Sequence, residues 1–270
     1  MAIGPAITSN RLRKQAAQIY YTPGALTMFM RWRRHFHAAV SSASDTPALA
    51  SDGLHHPLPG AELLELPERQ TLMDQIWQRT AVSREQFDRL YRTPLQRYAE
   101  LVQAFPVSLD GPYRYAGGML DHALYRVCYA LRLRQACLLP IGAPPEEQAA
   151  QAEAWTAGVA YAALLQDLGK LVVDLSVEHD DGTPWYPWQG PLRRPYRYYY
   201  PPEQPYRLHS AATALMYSHV LDADLLAWLC GYETLWTNLL FMISGQEAQA
   251  GILGDLTFQA AQAVMDQAAC

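Results

Sequence analysis

GGMLDHALYRVCYALRLRQAC, residues 117–137, decides the fold class. Leu120, Leu124, Val127, Cys128 and Leu131 recur at the three- and four-residue steps of an α-helix, which sets them on one stripe facing a core. The paired glycines at its start let the backbone come close to a neighbour or to a phosphate. Upstream, Pro67 opens a run with Leu72, Ile76 and Trp77 on one stripe. Ser83 and Gln86 form a capping box ahead of Phe87, Leu90 and Tyr91. Pro94 opens a further helix with Tyr98, Leu101, Val102 and Phe105 inward, and Pro106 stops it. Downstream, alanine-rich 144–168 reads as a helix, as do 209–220, 222–230 and 234–244. A last helix is expected from Asp255, as N-cap, to the C-terminus. Only 171–177 has strand-like composition, from Val172, Val173 and Val177. Residues 179–205 are a Pro- and Tyr-rich connection, long enough to have a function or to cover something. The class is all-α with an irregular insertion.

With half its 270 residues hydrophobic and 17% charged, the chain is globular, not disordered. Residues 1–60 read as an N-terminal extension, with one helical patch at 24–40 and a Ser-, Pro- and Gly-rich linker, and 61–270 as the helical domain. His55-His56 in that linker reads as solvated loop. The net charge of -5 gives no overall pull toward nucleic acid, so any such contact needs a local basic patch. Cys128, Cys137, Cys230 and Cys270 show no C-x-x-C spacing and three sit in apolar helical patterns. They read as reduced, buried thiols of a cytoplasmic protein. The N-terminus reads as no signal peptide, because Arg31, Arg33 and Arg34 follow the apolar residues. Residues 225–243 are apolar, but Glu233, Asn238 and Gly231 argue for buried helices over membrane insertion.

Three residues draw attention as chemistry. Asp167 ends a helix whose preceding turns are uncharged, so it is desolvated and faces the negative end of the helix dipole. Both effects demand a cation. Lys170 supplies one, as a plain salt bridge; a divalent metal would be the other. His122, one turn after the glycines, suits a hydrogen-bonded core position as well as a ligand, and His209 opens a helix. No pair has H-E-x-x-H spacing. In the insertion, Trp185, Trp188 and Tyr196, Tyr198, Tyr199, Tyr200 and Tyr206 alternate with Arg193, Arg194, Arg197 and Arg207. Rings beside guanidinium groups suit single-stranded nucleic acid. They equally suit a proline-stiffened loop packed on the helices.

GGMLDHALYRV, AALLQDLGKLVVDLSV, the W-Y-P-W segment and YRLHSAATALM together resemble the N-terminal domain of the MobH class of conjugative relaxases, over about residues 58–242. That domain is similar to the HD superfamily of metal-dependent phosphohydrolases. The resemblance implies an all-helical HD-like fold acting on or binding DNA in conjugative mobilisation. It implies His122, Asp167 and His209 as ligands meeting in one pocket around a divalent metal (manganese, magnesium or zinc). It implies Lys170 as a phosphate contact, Asp174 as its partner in catalysis, and other conjugation proteins as partners. Single-stranded DNA would be met by Arg193, Arg194, Arg197, Tyr198 and Tyr200. Two departures stand out. Gln166 replaces the usual metal-site histidine, and an amide oxygen is a poor transition-metal ligand. Residues 110–114, DGPYR, lack the histidines that precede the glycines in the family. Metal is therefore expected to bind weakly or not at all, and catalysis to be weak or lost. A catalytically inactive DNA- or protein-binding module and a small-molecule phosphohydrolase are the rival readings. The family's proteins are longer, so the chain reads as a stand-alone paralogue or a fragment.

Overall fold

The computed structural model describes residues 53–201 and 208–268. The expected helix at 24–40, the linker up to residue 52, Tyr206, Arg207 and Cys270 lie outside the described residues. The helices are α1 (Gly60–Leu63), α2 (Pro67–Trp77), α3 (Arg84–Phe87), α4 (Thr93–Val102), α5 (Gly118–Arg134), α6 (Pro145–Leu165) and α7 (Lys170–Val173), then α8 (His209–Met216), α9 (Ala223–Cys230), α10 (Glu233–Ile243) and α11 (Gly251–Ala268). Between α7 and α8 lies a small antiparallel sheet of β1 (Ser176–His179), β2 (Pro184–Trp185) and β3 (Tyr196–Tyr199), in the order β2-β1-β3. The domain is thus mainly helical, as the periodicity predicts.

The core forms where α5 packs on α6 and α11 packs on both, with α2 also against α5. The expected stripe of α5 is buried. Every residue of α6 from Ala154 to Leu165 is buried too. A helix apolar on all sides belongs at the centre of a domain, and its alanines let neighbours approach closely.

The helix expected from Pro94 is not separate. Arg84 to Val102 runs on through one π-helical segment, Asp88–Arg92, after the Ser83–Gln86 capping box closes as expected. Proline has no N–H for the carbonyl of Leu90, four residues back. That carbonyl instead accepts the buried Tyr161 hydroxyl of α6 at 2.5 Å. The proline is therefore absorbed by a partner from another helix. Tyr161→Phe is expected to leave the Leu90 carbonyl buried without a donor, at a cost of about 1–3 kcal/mol. Urea unfolding checks it; an unchanged midpoint would mean that the carbonyl finds another donor.

Three further expectations are corrected. Residues 170–173 form the short helix α7, where the valine N–H groups reach back to Gly169, and the strand begins only at Ser176. The tyrosine stretch is itself a strand: Tyr196 and Tyr198 turn inward against Phe105, while Arg197 and Tyr199 face outward. Asp255 lies inside α11, which starts four residues earlier at Gly251. Of the cysteines, Cys128 is buried, Cys137 is half-buried and Cys230 is exposed. His55 pairs with Tyr196 through both backbone hydrogen bonds, while His56 is exposed. Among the described residues, no helix is long and apolar enough to cross a membrane.

Candidate functional site

The paired glycines set the start of α5. Gly117 is left-handed at φ +83°, and a Cβ on Gly118 would lie 2.3 Å from the Tyr113 carbonyl oxygen. The N–H groups of Gly117, Gly118 and Met119 donate to the carbonyls of Ala104, Tyr115 and Phe105. These first-turn donors are used inside the protein, so the glycines serve close backbone packing, not a phosphate cradle. Arg69, buried under the same turn, binds Asp121 at 2.6 Å and the Leu63 carbonyl at 2.6 Å.

One turn apart on α5, His122 and Arg126 share a face, and that face meets the end of α6. Arg126 is 2% exposed. Its Nη1 donates to Gln166 Oε1 at 3.0 Å and its Nη2 to Asp167 Oδ2 at 2.7 Å. His122 Nδ1 lies 3.2 Å from the same Asp167 oxygen, off the direction of a hydrogen bond, and is buried with no hydrogen-bond partner. The cation that Asp167 demands is therefore Arg126. Lys170 instead reaches the Val107 carbonyl at 3.4 Å. Burial pushes the Asp167 carboxyl up, but the Arg126 guanidinium, with His122 and Lys170 behind it, holds it well below the usual carboxylate range. Burial lowers the His122 imidazole, against the opposing pull of Asp167.

The third expected ligand, His209, pairs with a different carboxylate. His209 Nε2 lies 2.5 Å from Asp174 Oδ1. The structure thus brings His122 to Asp167 and His209 to Asp174. Gly169 links the two pairs: it packs on the His209 carbonyl, and its N–H donates to Thr213 Oγ1 at 3.1 Å.

The insertion mixes packed and open groups. Tyr198 stacks on His55 and meets Phe105 edge-on; Tyr200 donates to the Pro106 carbonyl at 2.7 Å. Both are half-buried. Arg194 is held by Asp180 at 2.6 Å and Asp181 at 2.8 Å. Arg197 is exposed and sits opposite Glu178 in the β1–β3 register. Arg193 is open too, its side chain 74% exposed and 3.7 Å from Glu100. Trp188, one of the rings singled out in the sequence, and Tyr186, which was not, are also open. Tyr186 and Trp188 stack on each other, centroids 5.0 Å apart and 6° from parallel, at 44% and 53% exposure. Their signal was the proline at 187 between them, which opens a 3-10 turn and sets the rings face to face.

A family model, TraI_2, whose description reads "Putative helicase", matches residues 53–269. The chain belongs to the TraI_2 family. No curated protein matches it in sequence. Membership makes this a TraI-like, relaxase-related domain. The sequence has no G-x-x-x-x-G-K-[ST] phosphate loop.

In this TraI_2 domain the side chains present do not suit the divalent metal that the resemblance implies. The carboxylate and the amide oxygen are both bonded to a guanidinium, and a second cation there would meet its charge at close range. His122 Nδ1 is buried with no hydrogen-bond partner, and one imidazole beside a carboxylate already paired with Arg126 is few donors for a tight site. Among the described residues, no three His, Cys, Asp or Glu side chains are grouped to hold a metal.

Proposed function

We propose that this chain is a binding module of a conjugative-transfer DNA-processing protein, HD-like in descent and of the MobH relaxase type, that contacts single-stranded DNA through its sheet insertion and performs no phosphodiester chemistry at Asp167. The observation that carries the reading is the exposed Tyr186–Trp188 stack in a family tied to DNA processing. Parallel, open rings offer a face on which a base stacks whatever its identity. Arg193, Arg197 and Tyr199 are the open groups near β3 that can accompany them. Over residues 176–200, Arg193, Arg194 and Arg197 are matched in number by Glu178, Asp180 and Asp181. Stacking, more than phosphate attraction, therefore supplies the affinity.

Fluorescence anisotropy with a labelled single-stranded oligonucleotide at several salt concentrations tests this. Trp188→Ala is expected to weaken binding by about 1–3 kcal/mol, roughly 5- to 150-fold in Kd. Arg193→Ala and Arg197→Ala should each flatten the salt dependence by a slope of about 0.7, and Arg194→Ala should not, being neutralised by its two aspartates. Absence of binding by the unmodified chain, or binding indifferent to Trp188→Ala, would overturn the DNA contact and leave a protein-binding module as the better account.

A further inference from the structure

We infer that the Arg126 guanidinium is this chain's built-in cation for Gln166 and Asp167, standing where the resemblance implies a divalent metal, so that the cluster does not take up metal. The geometry argues it from both sides. Arg126 presents one N–H to the Gln166 amide oxygen and another to the Asp167 carboxylate, at 3.0 and 2.7 Å. Gln166 is then a matched acceptor and not merely a weakened ligand: an amide oxygen accepts from a guanidinium at any pH, whereas an imidazolium there would repel it. Arg126 itself has few alternatives. It is buried, its Nε lacks a hydrogen-bond partner, and among the described residues the only carboxylate it meets in an ion pair is Asp167. A buried arginine is tolerated only where it is paired, so the guanidinium and the doublet require each other. His122 completes the arrangement with its ring facing the shared carboxylate oxygen. Because Arg126 and His122 lie on one face of α5, a single helix surface delivers both the imidazole and the substitute charge.

The test uses manganese(II) alone as probe, followed through the EPR signal of the free ion. For the unmodified chain, the free signal is expected to match a protein-free control, or any uptake to survive Asp167→Asn and so belong elsewhere. Uptake of one ion per chain that is abolished by Asp167→Asn would overturn the inference. The converse arm frees the site: the double variant Arg126→Met with Gln166→His is expected to bind manganese at least tenfold more tightly than the parent, with a saturable rise in Tm. A double variant that is folded by circular dichroism but takes up no more manganese than the parent would also overturn it. Should that variant not fold, the comparison of the parent with Asp167→Asn decides alone. The cluster lies on α5 and α6 and the DNA assay probes the insertion, so either result can fail without the other.

Discussion

Arg126→Met is expected to destabilise the domain by about 3–5 kcal/mol, the cost of removing one partner from a buried ion pair and stranding the other charge. Asp167 remains in place with its side chain 18% exposed, and its largest remaining environmental effect is desolvation, which opposes the charge. For a domain of this size that loss corresponds to a fall in Tm of roughly 6–20 °C. Adding Asp167→Asn to Arg126→Met should recover most of it, because the stranded charge is gone. Thermal denaturation of the parent, the single and the double variant makes the comparison. Equal losses in the single and double variants would mean that packing, not charge, holds the cluster together.

The same cluster sets the sign of the acid response. Asp167 has a folded-state pKa depressed below its unfolded value of about 3.9, so its contribution is fully present above that value and is lost as the pH falls through the folded pKa. His122 has a folded-state pKa lowered by burial from about 6.5. The unfolded chain therefore binds that proton first, and stability declines as the pH drops below about 6.5. Urea midpoints of the parent should fall in two stages, one below pH 6.5 and one below about 4. In Arg126→Met the carboxylate loses its strongest stabiliser, and a protonated His122 becomes its nearest cation. Stability between pH 6 and 4 should then stay level or rise. A variant that loses stability on acidification as steeply as the parent would show that Arg126 is not what holds Asp167 ionised.

The need for a cation at Asp167 was legible because it follows from local facts: an uncharged helix end and an unfavourable dipole. The identity of that cation was not. Arg126 lies 41 residues away and reaches Asp167 only because α5 packs on α6, a contact that the apolar stripe of α5 implies without fixing its angle. The one sequence clue was its i,i+4 relation to His122. In the insertion the sequence leaves Tyr198 and Tyr200 between two readings, rings offered to nucleic acid or rings packed on the helices, and the structure packs both. The alternation Tyr196, Arg197, Tyr198, Tyr199 carries a strand's period of two, which sends Tyr198 inward. The valines at 172 and 173 misled in turn, since a four-residue helical turn closed on Gly169 overrides β-branched preference.

Gly169→Ala is expected to be among the most damaging single substitutions in the domain, about 3 kcal/mol or more, at or beyond the usual range for overpacking. A Cβ there would lie 1.8 Å from the His209 carbonyl oxygen, 2.7 Å from its carbon and 2.9 Å from the Thr213 nitrogen. All three are backbone atoms of α8, so no side-chain rotation makes room. Either α8 moves away by more than an ångström, or the turn from Asp167 to Lys170 does. The first breaks the hydrogen bond from Gly169 to Thr213 and draws His209 off Asp174. The second disturbs the Arg126 cluster. The two can be told apart by NMR: a shift confined to the His209 imidazole signals movement of α8, and a shift at His122 signals movement of the turn. Movement of α8 is expected, because Asp167 is held by Arg126 whereas α8 is only eight residues long. Gly182→Ala is the control. Its φ is +80° but a Cβ there meets nothing within 4 Å, so it should cost only the backbone strain of about 1–2 kcal/mol. If Gly169→Ala and Gly182→Ala lower the urea midpoint equally, close contact between the turn and α8 is not what joins the two aspartate–histidine pairs.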